Sequence, residues 1–89
     1  MFVVELAFDG NPARLALRPA HRETLNALHA AGEVLVAGPL TDGSGAVVVL
    51  DTTRERVDEI LAEDPYYGAE GVTVSSIREI TSVLEDPSG

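Results

Sequence analysis

Residues 34–40 (VLVAGPL) and 46–50 (AVVVL) are two nearly unbroken apolar runs, separated by Thr41-Asp42-Gly43-Ser44-Gly45. Valine-rich runs of this length, bounded by a Gly/Asp/Ser cluster, predict the two strands of a hairpin. Successive side chains of a strand point to opposite faces. Val47 and Val49 therefore face away from Val48, and neither side is polar. Both faces of the sheet that contains this hairpin need cover. That requirement constrains the fold more than any other feature of the chain.

The remaining segments supply cover for one face. Phe2, Val4, Leu6 and Phe8 alternate with Val3, Glu5 and Ala7, the period of a strand. Asp9-Gly10-Asn11-Pro12 is a turn cluster, and a short helical piece is expected over 13–17. Pro19 suits the first turn of a helix, where its missing N–H costs nothing. That helix is expected over 19–31, with Gly32 ending it. At about 100° per residue His21, Leu25 and Leu28 fall within about 60° of one another and share its buried face. Thr52 with Glu55 fits a capping box, Val57, Ile60 and Leu61 give a second apolar stripe, and Pro65 stops that helix near Asp64. A last strand is expected over 71–80, with Val72, Val74 and Ser76 on one face and a broken alternation near Ser76 and Ile77.

The order is β-α-β-β-α-β, the ferredoxin-like α+β plan: a four-stranded antiparallel sheet with two helices on one face. Two short helices leave the other apolar face bare, and a bare apolar face of that size is an interface. The expected partner is a second copy of the chain, packed sheet against sheet. With 89 residues there is room for one domain, expected over 1–82, followed by a polar tail over 83–89. A domain this short buries only about 60–65% of its unfolded surface, which also favours a dimer.

Composition removes several functions that this plan hosts. There is no cysteine and no lysine, so thiol nucleophiles, paired-cysteine metal carriers and Schiff-base chemistry are excluded. The balance of 6 arginines against 15 acidic residues, −9 in all, argues against nucleic acid and anionic membranes. An RNA-recognition sheet also needs aromatic residues on its central strands, and the corresponding strands here are valine and alanine. No positively charged leader precedes the apolar start and no run is long enough to span a bilayer, so a cytoplasmic location is expected. What remains is a small-molecule enzyme, a ligand-binding regulatory domain or a dimerisation module.

His21 is the first candidate for chemistry. It is either a core histidine held by a backbone carbonyl or a general base, its ring kept neutral by the positive end of the helix dipole. Asp64 is either a helix stop before Pro65 or the carboxylate that orients His21, since both helices lie on one face of one sheet. Gly38-Pro39 closes the second strand, and a glycine there lets a ligand approach the backbone. Arg18 is an exposed cation or an anion-holding fork beside a pocket. Tyr66 and Tyr67 line a pocket or pack at the dimer interface. Ser75 and Ser76 have no glycine elbow or adjacent base to make a nucleophile. His29 reads as structural or solvated, and His21 with His29 does not make a metal site.

Arg18-Pro19-Ala20-His21 opening a helix, Gly32 ending it, Ala37-Gly38-Pro39 closing a strand and Asp64-Pro65-Tyr66 after the second helix resemble the YCII-related (YciI-like) domain family. The resemblance runs over about residues 1–80. It implies a dimeric α+β barrel with a His–Asp pair in a pocket, here His21 and Asp64, and the Gly38-Pro39 corner near it. One characterised type resembles a dehydrochlorinase of chlorinated hydroxyhydroquinones, which implies proton transfer without metal or redox cofactor. The sequence departs from the family near Ser75-Ser76-Ile77, where a Pro–Phe-like ending is common. Together these readings predict a cofactor-independent lyase or isomerase in which His21 moves a proton. Asp64 would hold its tautomer, while Arg18, Gly38, Pro39 and Tyr66 bind a small substrate bearing an aromatic hydroxyl or carboxylate. The alternative is a non-catalytic dimeric ligand-binding or regulatory module.

Overall fold

The alternating segment at the start of the chain forms β1 (Phe2–Phe8) in a computed structural model that describes residues 1–83. Phe2, Val4 and Leu6 are buried on one face, and Val3, Glu5 and Ala7 lie on the other. A 3-10 turn, Pro12–Ala16, leads into α1 (Arg18–Ala30). The hairpin strands are β2 (Val34–Pro39) and β3 (Gly45–Leu50), followed by α2 (Arg54–Glu63), a 3-10 turn Pro65–Gly68 and β4 (Val72–Glu79). The four strands form one antiparallel sheet in the order β2-β3-β1-β4, as the ferredoxin-like plan requires. The polar tail expected over 83–89 lies, except for Val83, outside the described residues.

Both helices cover the face that carries Val4, Leu6, Val48 and Leu50. Leu28 of α1 and Val57 and Ile60 of α2 complete this core, with Tyr66 and Tyr67 closing one end. Val4, Leu50 and Val57 have essentially no exposure, and burying such side chains contributes about 1.5–3 kcal/mol each. Gly32, at φ 83°, ends α1 in the left-handed conformation that glycine adopts without strain. The Glu33 N–H then bonds back to the Leu28 carbonyl at 2.9 Å. Among the described residues no helix is long and apolar enough to cross a membrane.

Among the described residues nothing covers the opposite face on its β3 side. Val3, Val47 and Val49 are half-buried there and Val36 is 62% exposed. Towards β4 the same face turns polar, with Glu5, Thr73, Ser76 and Arg78.

Two local expectations need correction. The cap of α2 is Thr53, whose hydroxyl accepts from the Arg56 N–H at 3.2 Å. Thr52 instead donates to Glu33 at 3.3 Å, so Thr52 and Glu55 form no capping box. In β4 an irregularity lets Glu5 pair with Ser76 and Leu6 with Val74. Ser75 is the extra residue, so Val72, Val74 and Ile77 share the core face while Ser76 lies on the other. A bulge of this kind shifts every later side chain by one position, which is why the alternation breaks near Ser76.

Gly45 begins β3 where the sheet is tightest. A Cβ there would run into the Leu6 carbonyl of β1, a backbone group that cannot rotate away. Gly45→Ala is therefore expected to cost at least about 2 kcal/mol in urea unfolding, within the overpacking range. An unchanged midpoint would show that β1 and β3 are not this close.

Candidate functional site

Pro65 cannot continue α2, so the chain turns at Asp64 (φ −95°, ψ 113°). The turn sends the carboxylate inward instead of to solvent. Its Oδ1 accepts from the Tyr66 N–H at 3.0 Å and starts the second 3-10 turn. Its Oδ2 accepts from Nδ1 of His21, one turn into α1, at 2.6 Å. Each residue is only 7% exposed. Both carboxylate oxygens thus have partners, as buried acids require.

The pairing fixes the imidazole. A carboxylate only accepts, so the proton of the neutral ring sits on Nδ1 and Nε2 carries the lone pair. Among the described residues no side-chain nitrogen or oxygen is sealed from solvent without a partner. Nε2 has no such partner, and His21 lines a cavity. The basic nitrogen therefore opens into that cavity.

Aromatic rings hold the imidazole on two sides. Tyr66 stacks on it at 4.0 Å with an interplanar angle of 5°. Tyr67 meets it edge-on at 5.2 Å. The Tyr66 hydroxyl accepts from a guanidinium N–H of Arg14 at 3.1 Å, and Arg14 lies 4.0 Å over the Phe8 ring. Burial pushes the Tyr67 phenol well above the ordinary tyrosine range, and the negative charge of Asp64 pushes it the same way.

The cavity, about 750 Å³, lies between α1 and the β2 edge of the sheet. Its volume falls in the range of about 300–1,000 Å³ usual for small-ligand sites. His21, Arg18, Gly38, Pro39 and Tyr66 all line it. Asp64 does not; it is bonded to Nδ1 of His21 and borders a separate, smaller pocket of about 240 Å³ between α1 and α2. Tyr67, Ser75 and Ser76 are not part of its wall. The two serines bond to Glu5 instead, at its carbonyl and carboxylate respectively. His29 donates from Nδ1 to the Val34 carbonyl at 2.7 Å and touches the cavity from its rim. Among the described residues no three His, Asp or Glu side chains converge as a metal site would need.

The sequence reading missed Arg14, Arg22 and Phe8, which also line the cavity. A signal for the arginines was present. Arg14, Arg18 and Arg22 recur every four residues, and no acidic residue lies between Asp9 and Glu23.

The profile of the YCII-related domain family matches residues 1–81. The chain belongs to this family. The match takes in all four strands and both helices, and with them every residue of the site just described. A search of curated proteins found no match.

Proposed function

We propose that this YCII-related domain is a small cofactor-independent enzyme of the lyase or isomerase kind, with His21 as its proton-transferring residue. The observation that carries the reading is the 2.6 Å contact between His21 Nδ1 and Asp64 beside an open cavity. A histidine serving only the core would need neither a buried carboxylate nor a free second nitrogen facing a cavity.

In the proposed reaction Nε2 takes a proton from an acidic C–H of the substrate. Asp64 stabilises the imidazolium that forms and holds the ring in place. In an isomerisation the same proton returns to another atom of the substrate. In an elimination, such as loss of hydrogen chloride, the C–H electron pair becomes the new double bond. The leaving group departs with its own bonding pair, and the proton stays on Nε2 until water takes it. Arg18 and Tyr66 would hold a polar group of the substrate, and the Gly38-Pro39 corner would let it lie close to β2.

The same reading includes a homodimer through the bare sheet face. Val3, Val36, Val47 and Val49 form an apolar patch that no other described residue covers, which supports a second copy there. Sedimentation velocity over a dilution series should show a dimer, and Val49→Glu should convert it to monomer by placing a charge in the interface. Stable monomer at every wild-type concentration would contradict the dimer.

A direct screen tests the proton-transfer reading. Phenols and small keto and hydroxy acids are incubated with the protein in heavy water and followed by proton NMR. Exchange of a C–H for deuterium in at least one compound that binds the cavity is expected. Binding without exchange across the whole panel would favour a non-catalytic ligand-binding module.

A further inference from the structure

Charge is distributed very unevenly around this cavity. The chain carries 15 acidic residues and 6 arginines, yet the cavity wall contains three of the arginines and no acid. The three are Arg14, Arg18 and Arg22. Elsewhere the arginines of α2 are matched by acids: Arg54 pairs with Asp58 at 3.1 Å and Arg56 with Glu33 at 2.9 Å. Among the described residues none of the three cavity arginines has a carboxylate within ion-pair distance.

Local physics opposes this arrangement. Arg18 and Arg22 stand one turn apart on one face of a helix, where like charges repel. They also sit at the end of α1 that the helix dipole makes positive, and the first turn of α1 holds no acid to offset it. Arg14 is fixed without a counter-charge: it lies over the Phe8 ring and donates one N–H to Tyr66, leaving the rest of its fork uncommitted. In a chain with a large surplus of carboxylates, an unmatched cationic wall is a site for an external anion.

The opposite wall, formed by β2 and β3, is apolar, with Val34, Ala37 and Val48. An inorganic anion would leave that wall bare. We infer that the cavity binds a small organic acid, its carboxylate held by Arg14, Arg18 and Arg22 and its apolar body lying along β2 and β3. This inference rests on the reading of the cavity as the substrate site. It narrows the substrate group from a hydroxyl or carboxylate to a carboxylate and adds two residues, Arg14 and Arg22. Arg14 donates to the hydroxyl of Tyr66, whose ring stacks on His21, so the anion site is tied to the ring that supports the imidazole.

The test uses the full nitrogen-15-labelled chain, titrated with benzoate, salicylate, benzyl alcohol and inorganic phosphate. Benzoate or salicylate should shift the resonances of Arg14, Arg18, Arg22 and their neighbours. Either should bind at least about tenfold more tightly than benzyl alcohol or phosphate. Arg22→Gln and Arg18→Gln, both at exposed positions, should each weaken the carboxylate several-fold. Arg54→Gln, which removes the same charge away from the cavity, should not. Equal binding of benzyl alcohol, equal binding of phosphate, or no carboxylate shift at the cavity would each overturn the inference. The two readings separate cleanly. Carboxylates that bind without any deuterium exchange sink proton transfer and leave the anion site standing. Exchange in a bound neutral phenol, with no carboxylate binding, does the reverse.

Discussion

Replacing Asp64 by alanine is expected to remove a large part of the stability of this domain. The substitution deletes the acceptor of two hydrogen bonds at once. It leaves Nδ1–H of His21 buried with no partner and removes the cap of the turn at Tyr66. Leaving a buried donor without its partner costs about 1–3 kcal/mol, and losing a cap costs about 1 kcal/mol. A domain of this size has roughly 4–13 kcal/mol in total. The midpoint of thermal unfolding should fall by about 10 °C or more. A fall of only a few degrees would mean that Asp64 is solvated and not locked onto His21.

Asp64→Asn is a finer probe of the same contact. An amide has one acceptor oxygen where the carboxylate has two. If that oxygen keeps the Nδ1–H of His21, the amide nitrogen faces the Tyr66 N–H, and two donors meet. If the amide is flipped, its nitrogen faces Nδ1, and the imidazole proton must move to Nε2. The first arrangement loses one contact, at about 1–3 kcal/mol, whereas the flipped one keeps both by adopting the other tautomer. The flipped arrangement removes the lone pair that faces the cavity.

Much of this architecture was legible in the sequence because its elements carry clean periods. Alternation in β1, the stripes of α1 and α2, and the stops at Gly32 and Pro65 all come from local geometry, and the element order then implies the sheet. The site was legible in part. His21 lies on the buried stripe of α1 and Asp64 directly precedes the proline that ends α2, so the fold brings them to one face. The tilt of Asp64 toward His21 depends on the 3-10 turn at Tyr66, which has no period to read. Arg14 sits in the 3-10 turn Pro12–Ala16, outside α1, so its four-residue spacing from Arg18 and Arg22 does not by itself place it in the same wall. The bulge at Ser75 was seen only as a broken alternation, because either register fits the residues around it. Thr52 and Thr53 are both competent caps, and the choice falls to Thr53 because Glu33 engages Thr52.

The second large effect is on chemistry. His21→Ala would leave the Asp64 carboxylate buried without its partner and confuse activity with folding. His21→Asn avoids this, because its amide N–H can take the place of Nδ1–H toward Asp64 while Nε2 is gone. A positioned general base contributes about 10²–10⁴-fold, and the variant should lose a factor of that order. The most direct measurement compares wild-type and His21→Asn protein for deuterium uptake by one cavity-bound compound, with equal occupancy confirmed by its own titration. The account predicts exchange well above buffer in the wild type and a loss of at least about 100-fold in the variant. Exchange at the same rate in both would contradict it.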